Sequence, residues 1–182
     1  MSDIINNLES GRILGIDESG KGDFFGPLVI AGVLANETDV IRLRDNGVRD
    51  SKKITDKKIL ELSNWITENF VHTLVVIGPE KYNQLYQKIK NLNKLLAWGH
   101  SRVIENIVLE HEVDLAISDK FGRADFIESA LMEKGKNIKV HQMIRGEAII
   151  QVAAASIVAR AAFVKFIAGM KRQFDANIPK GA

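Results

Sequence analysis

Short, nearly continuous apolar runs alternate along this chain with stretches of helical spacing. Residues 12–17 (RILGID) form a first apolar run, and residues 28–34 (LVIAGVL) a second, unbroken one of the kind found in the centre of a sheet. Between them Gly20, Gly22 and the Gly26-Pro27 pair mark a loop. Behind Thr55, a good N-cap, Ile59, Leu62, Ile66 and Phe70 recur at helical spacing and predict a helix. Residues 71–77 (VHTLVVI) predict a third strand, closed by Gly78-Pro79. A short helix is expected from Pro79, then a longer one over residues 91–110 with Leu92, Leu95, Leu96, Val103, Ile107 and Val108 on one face. Residues 113–118 (VDLAIS) predict a fourth strand with Asp119 at its C-terminal end. A helix over residues 124–134 ends at Gly135, residues 138–143 predict a fifth strand, and an alanine-rich helix covers residues 148–172.

Short links between the first three strands favour antiparallel neighbours, whereas the later strands connect through helices. The expected class is therefore α/β: a mixed five-stranded sheet flanked by helices, with residues 1–182 as a single domain. The apolar stretch 148–170 is interrupted by Gln151, Ser156, Arg160 and Lys165, so it reads as a buried helix and not as a membrane span. Residues 1–11 are polar and carry no apolar core of a secretory signal.

Composition narrows the chemistry. Hydrophobic residues make up 46% and charged residues 26%, which excludes a disordered or fibrous chain. There is no cysteine, so thiolate zinc sites, iron–sulfur clusters and cysteine nucleophiles are excluded. The net charge is only +2, but it is segregated. Residues 1–41 carry two basic against seven acidic side chains, and residues 42–58 seven basic against three acidic. An acidic pocket beside a basic strip suits a nuclease, in which the strip grips phosphates and bound metals carry out hydrolysis.

The acids stand where a sheet collects functional groups. Asp17 and Glu18 end an apolar strand, Asp119 ends another, and Glu147 follows the fifth. If strands one and four are parallel neighbours, Asp17 and Asp119 converge. Carboxylates crowded in a partly buried site repel one another, and a hard divalent cation such as Mg²⁺ relieves that repulsion with oxygen ligands. Two such ions would activate a water and stabilise the leaving oxygen of a phosphodiester.

Residues 15–22 (GIDESGKG) come close to a phosphate-binding P-loop but fail it twice. Gly22 stands where Ser or Thr would hold Mg²⁺, and an apolar strand follows where a helix should begin. Ser19, Gly20, Lys21 and Gly22 could instead cradle a nucleic-acid phosphate beside the acids, or form a simple turn. Asp50-Ser51-Lys52-Lys53 sits in a loop before the helix cap, apart from the lysines of the helix face. His72, His100, His111 and His141 show no metal-ligand spacing and are expected to be structural, with a proton-shuttling role near the metals open to one of them. Aromatics are few, and Trp65 and Trp98 fall on expected helices, which argues against a base-stacking single-strand binder.

Residues 17–28 (DESGKGDFFGPL) resemble the signature of the type 2 ribonucleases H, in the HIII form. Residues 50–53 (DSKK), 91–100, 118–121 (SDKF), 145–147 (RGE) with 152–160 (VAAASIVAR), and 179–182 (PKGA) resemble further motifs of that family, in family order. The resemblance implies an RNase H-like fold and endonucleolytic cleavage of the RNA strand of RNA–DNA hybrids. It implies Mg²⁺ or Mn²⁺ in a two-metal site, and 3′-hydroxyl and 5′-phosphate ends. By motif match, Asp17, Glu18, Asp119 and Glu147 would be the catalytic, metal-binding acids. Ser19, Gly20, Lys21, Gly22, Ser51, Lys52, Lys53 and Arg145 would contact substrate, including the 2′-hydroxyls that separate RNA from DNA.

Relatives of the HIII form commonly carry an N-terminal substrate-binding domain and C-terminal helices, and these are expected to be absent here. The only tyrosines, Tyr82 and Tyr86, do not match the late tyrosine with which the HII form recognises a lone ribonucleotide. The expected partner is the hybrid, with no membrane and no protein partner evident, for a cytoplasmic monomer. The competing readings are an HII-like enzyme, another nuclease of the same fold that cuts only DNA, and a core that binds hybrid without turnover.

Overall fold

The computed structural model describes residues 11–122, 124–131 and 135–179. Its five strands are β1 (Ile13–Ser19), β2 (Leu28–Ala35), β3 (Val71–Ile77), β4 (Leu115–Asp119) and β5 (Lys139–Met143). They form one sheet in the order β3-β2-β1-β4-β5. β1–β2 and β2–β3 are antiparallel, whereas β1–β4 and β4–β5 are parallel. This is the mixed sheet that the link lengths predict.

The unbroken apolar run of β2 is buried at every residue, because helices cover both faces of the sheet. Strand alternation divides it. Val29, Ala31 and Val33 pack with α1 (Glu37–Asp45), α2 (Asp56–Asn69) and α6 (Ile150–Phe174). Leu28, Ile30 and Leu34 pack with α4 (Leu92–Val108), through Leu95, Leu96, Val103 and Ile104. α3 (Pro79–Ile89) and α5 (Ala124–Ala130) add to the same side as α4. The expected end of α5 reaches residues 132–134, outside the described residues.

α6 passes the length and apolarity test for a membrane span, but it is the core helix, buried along the alanine-rich part of its length. Its small side chains let it lie directly on β1. A Cβ on Gly15 would stand 2.1 Å from the carbonyl carbon of Gln151, so only glycine fits there. Hydrophobic periodicity does not announce α1, because only Val40 and Leu43 of it are buried. A capping box starts it instead: Asn36 Oδ1 accepts the Asp39 N–H at 3.0 Å, and Asp39 Oδ2 accepts the Asn36 N–H at 3.2 Å.

Candidate active site

The parallel register sets Ile16 of β1 level with Ser118 of β4, so Asp17 and Asp119 follow side by side at neighbouring strand ends. Alternation along β1 then separates the two adjacent acids. Gly15 and Asp17 face α6, while Leu14, Ile16 and Glu18 face α4. Asp17, Glu18, Asp119 and Glu147 nevertheless line one open cleft of about 360 Å³, together with Ser19, Asp50, Ser51, Lys52, Ser156 and Arg160.

Asp17 is half-buried at the floor of this cleft. Burial, then the neighbouring Glu18 and more weakly Asp119, raise its pKa from 3.8 to about 7. Hydrogen bonds from the Ser156 hydroxyl and the Glu18 amide, the latter at 2.8 Å to Oδ1, pull the other way without prevailing. For Glu18, burial also pushes upward. The hydrogen bond and charge of His100, with Lys21 and Lys52, outweigh it and hold the carboxyl below its ordinary value. His100 Nε2 lies 3.2 Å from Glu18 Oε2, and Lys21 Nζ lies 3.9 Å from Oε1.

Asp119 is fixed from the opposite side. The Gly146 N–H donates to Asp119 Oδ1 at 3.0 Å. A Cβ on Gly146 would come within 2.9 Å of the Asp119 backbone, so this approach also needs glycine. Glu147 follows in the 3₁₀ turn Gly146–Ala148, half-buried in the same cleft. The four acids thus arrive from three segments. Among the described residues, no three His, Asp or Glu side chains close on one point as they would around a bound ion. The donor set is carboxylate oxygen throughout, which suits a hard divalent cation.

The basic rim is built on α6. The 3₁₀ turn Ser51–Lys53 is started by Asp50, whose Oδ1 accepts the Lys52 N–H at 3.0 Å. Arg160 donates to the Ser51 carbonyl and, at 3.0 Å, to Asp56 Oδ1, which ties the turn to the helix. Ser51 itself is buried, its Oγ 2.8 Å from Ser156 Oγ. Ser156 in turn stands beside Asp17, so the Ser51–Ser156 pair links the rim to the acid. Lys52 is exposed, and the side chain of Lys53 lies outside the described residues. Gly20 and Gly22 adopt positive φ, 83° and 78°, and Lys21 beside them is exposed. Arg145 is exposed with a left-handed backbone just before the Glu147 turn, and it does not line the cleft. Of the 179–182 motif, residues 180–182 lie outside the described residues.

A family model for ribonuclease HII matches residues 14–182. The chain belongs to the ribonuclease HII family. Among curated proteins it is 46% identical over 172 residues to ribonuclease HIII of Chlamydia pneumoniae, covering 93% of this chain and 58% of that one. The chain therefore spans little more than half the length of that relative. Among solved structures, Bst-RNase HIII in complex with Mn²⁺ matches with a TM-score of 0.89 and 30% identity, covering 98% of this chain and 60% of that one. The ribonuclease HII of Archaeoglobus fulgidus, solved as a complex with PCNA, matches with a TM-score of 0.77 and 30% identity over 90% of this chain and 77% of that one. The mixed sheet with its helices is thus the RNase H-like fold.

Four residues of the family-like motifs escape the sequence reading as site residues: Asp50, Ser156 and Arg160, which line the cleft, and His100, which is buried and bonds Glu18. Ser156 and Arg160 left a signal, as polar side chains four apart in an otherwise apolar helix. His100 is legible as part of the 91–100 motif, but nothing in the spacing of α4 sets it opposite Glu18.

Proposed function

We propose that this chain is a metal-dependent endonuclease that hydrolyses the RNA strand of RNA–DNA hybrids, leaving 3′-hydroxyl and 5′-phosphate ends. The observation that carries this reading is the side-by-side placement of Asp17 and Asp119 at parallel strand ends, in a cleft where burial and like charge raise Asp17 to about 7. Asp17, Glu18, Asp119 and Glu147 would hold Mg²⁺ or Mn²⁺, the latter being the ion of the Bst-RNase HIII complex. Bound divalent cations supply an activated water and charge stabilisation for the leaving oxygen.

The chain's own residues do the rest. Ser156 and the Glu18 amide orient Asp17, and Gly146 orients Asp119. Lys52 and Lys21 give positive charge at the mouth of the cleft, where substrate phosphates would lie. Gly22, with open space at its Cβ position, offers the sugar-phosphate chain a backbone of little bulk. Gly20 is needed instead for the close approach of the Pro27 carbonyl. In this reading Ser19 and Ser51 shape the cleft wall, Gly20 shapes the turn beside it, and Lys53 and the exposed Arg145 reach substrate further from the acids. Residues 1–182 would act as one catalytic domain, as a monomer in the cytoplasm, where a cysteine-free chain needs no oxidising environment.

Incubation with Mg²⁺ or Mn²⁺ and end-labelled hybrid, duplex DNA or duplex RNA tests this. Cleavage of the RNA strand of the hybrid alone, abolished by chelator, is expected. Cleavage confined to DNA, or tight hybrid binding with no turnover in either metal, refutes it.

A further inference from the structure

His100 is the only buried histidine of the four, with no solvent exposure, although it belongs to a face of α4 otherwise lined by Leu96, Val103 and Ile104. Its ring leans on Phe121, with centroids 4.6 Å apart. Among the described residues Nδ1 has no hydrogen-bond partner, and the single polar contact of this imidazole is Nε2 to Glu18 Oε2. A side chain that only filled the core would be apolar, because burying a polar ring costs free energy unless it is hydrogen-bonded. An ionised carboxylate only accepts, which places the hydrogen on Nε2. Glu18 Oε2 is then engaged inside the protein, and Oε1, the oxygen on the side of Lys21, is the one left for the cleft.

We infer that His100 is a positioning residue that makes Glu18 a one-oxygen ligand, holding Oε2 back and presenting Oε1 alone to a divalent cation. This rests on the metal-dependent reading above. Without that bond Glu18 could turn both oxygens to one ion, a geometry that Ca²⁺ tolerates and that fits poorly with the near-octahedral demand of Mg²⁺ or Mn²⁺.

The test compares His100→Leu, which keeps bulk and loses the donor, with His100→Gln, whose amide can donate from a similar reach. The readouts are thermal melting, Mn²⁺ affinity by calorimetry without substrate, and kcat and KM on hybrid. His100→Leu should lose about 10- to 100-fold in Mn²⁺ affinity and drop in kcat with KM for hybrid unchanged, and His100→Gln should recover most of both. Wild-type Mn²⁺ affinity in a folded His100→Leu overturns the inference. So does a folded His100→Gln as weak as His100→Leu, or as weak as expected for it if that variant does not fold. Nitrogen-15 NMR of the unmutated protein gives a check that needs no variant: a ring protonated at Nδ1 and bare at Nε2 overturns the inference. Absence of Mn²⁺ binding by the unmutated chain overturns it together with the metal site. His100-dependent Mn²⁺ binding without hybrid cleavage overturns the proposed activity alone.

Discussion

Replacing Asp17 by Asn should stabilise the metal-free protein while removing its chemistry. The fold raises this carboxyl from 3.8 to about 7, so between those values the folded chain holds a proton that the unfolded chain has released. Stability therefore falls as pH rises through that window, and the full penalty is present above it. At about 1.36 kcal/mol per pH unit of displacement, an ionised Asp17 costs the fold up to about 4 kcal/mol at pH 8. Asn avoids this and still accepts the Glu18 amide hydrogen through its carbonyl oxygen. If half the penalty is recovered, about 2 kcal/mol, Tm should rise by about 4–8 °C for a chain of this size. The assay is thermal melting of both proteins in chelator at pH 8 and again near pH 4, where folded Asp17 is protonated and the unfolded carboxyl is close to its own midpoint, so that most of the penalty is gone. The gain should shrink to under about 1 kcal/mol at the lower pH. A variant melting at or below the parent at pH 8, or a gain independent of pH, would refute the reasoning. Saturating Mn²⁺ should reverse the order, since only the parent keeps the ligand.

Other changes separate the parts of the site. Asp119→Asn should cut hybrid on the order of a thousandfold more slowly, with binding measured by gel shift in chelator little changed. Gly15→Ala forces a methyl group into the backbone of Gln151, and chemical denaturation should register a loss of about 3 kcal/mol or more. Arg160→Ala frees the Ser51–Lys53 turn, which should raise KM for hybrid about fivefold, equivalent to roughly 1 kcal/mol, and leave kcat near its starting value.

Much of the molecule is legible in its sequence, for a physical reason. Strands buried on both faces must be apolar throughout, so β1 and β2 stand out within a residue or two of their ends. Thr55 and Gly78-Pro79 carry local backbone chemistry that needs no partner to be read. The acids at strand ends are legible by position, and their pairing follows once β1 and β4 are parallel. α1 escapes because a helix lying on the rim buries only two side chains and shows little periodicity.

What the tertiary structure alone decides is which way each group turns and what it meets. Asp17 and Glu18 are neighbours in sequence, yet the pleat sends one towards Ser156 and the other towards His100, and their proton affinities part accordingly. Ser51 belongs to a basic strip by sequence, but Arg160 draws its turn onto α6 and its hydroxyl faces inward to Ser156. These outcomes depend on contacts between residues 82 to 109 positions apart, set by helix–sheet packing and invisible to any local window.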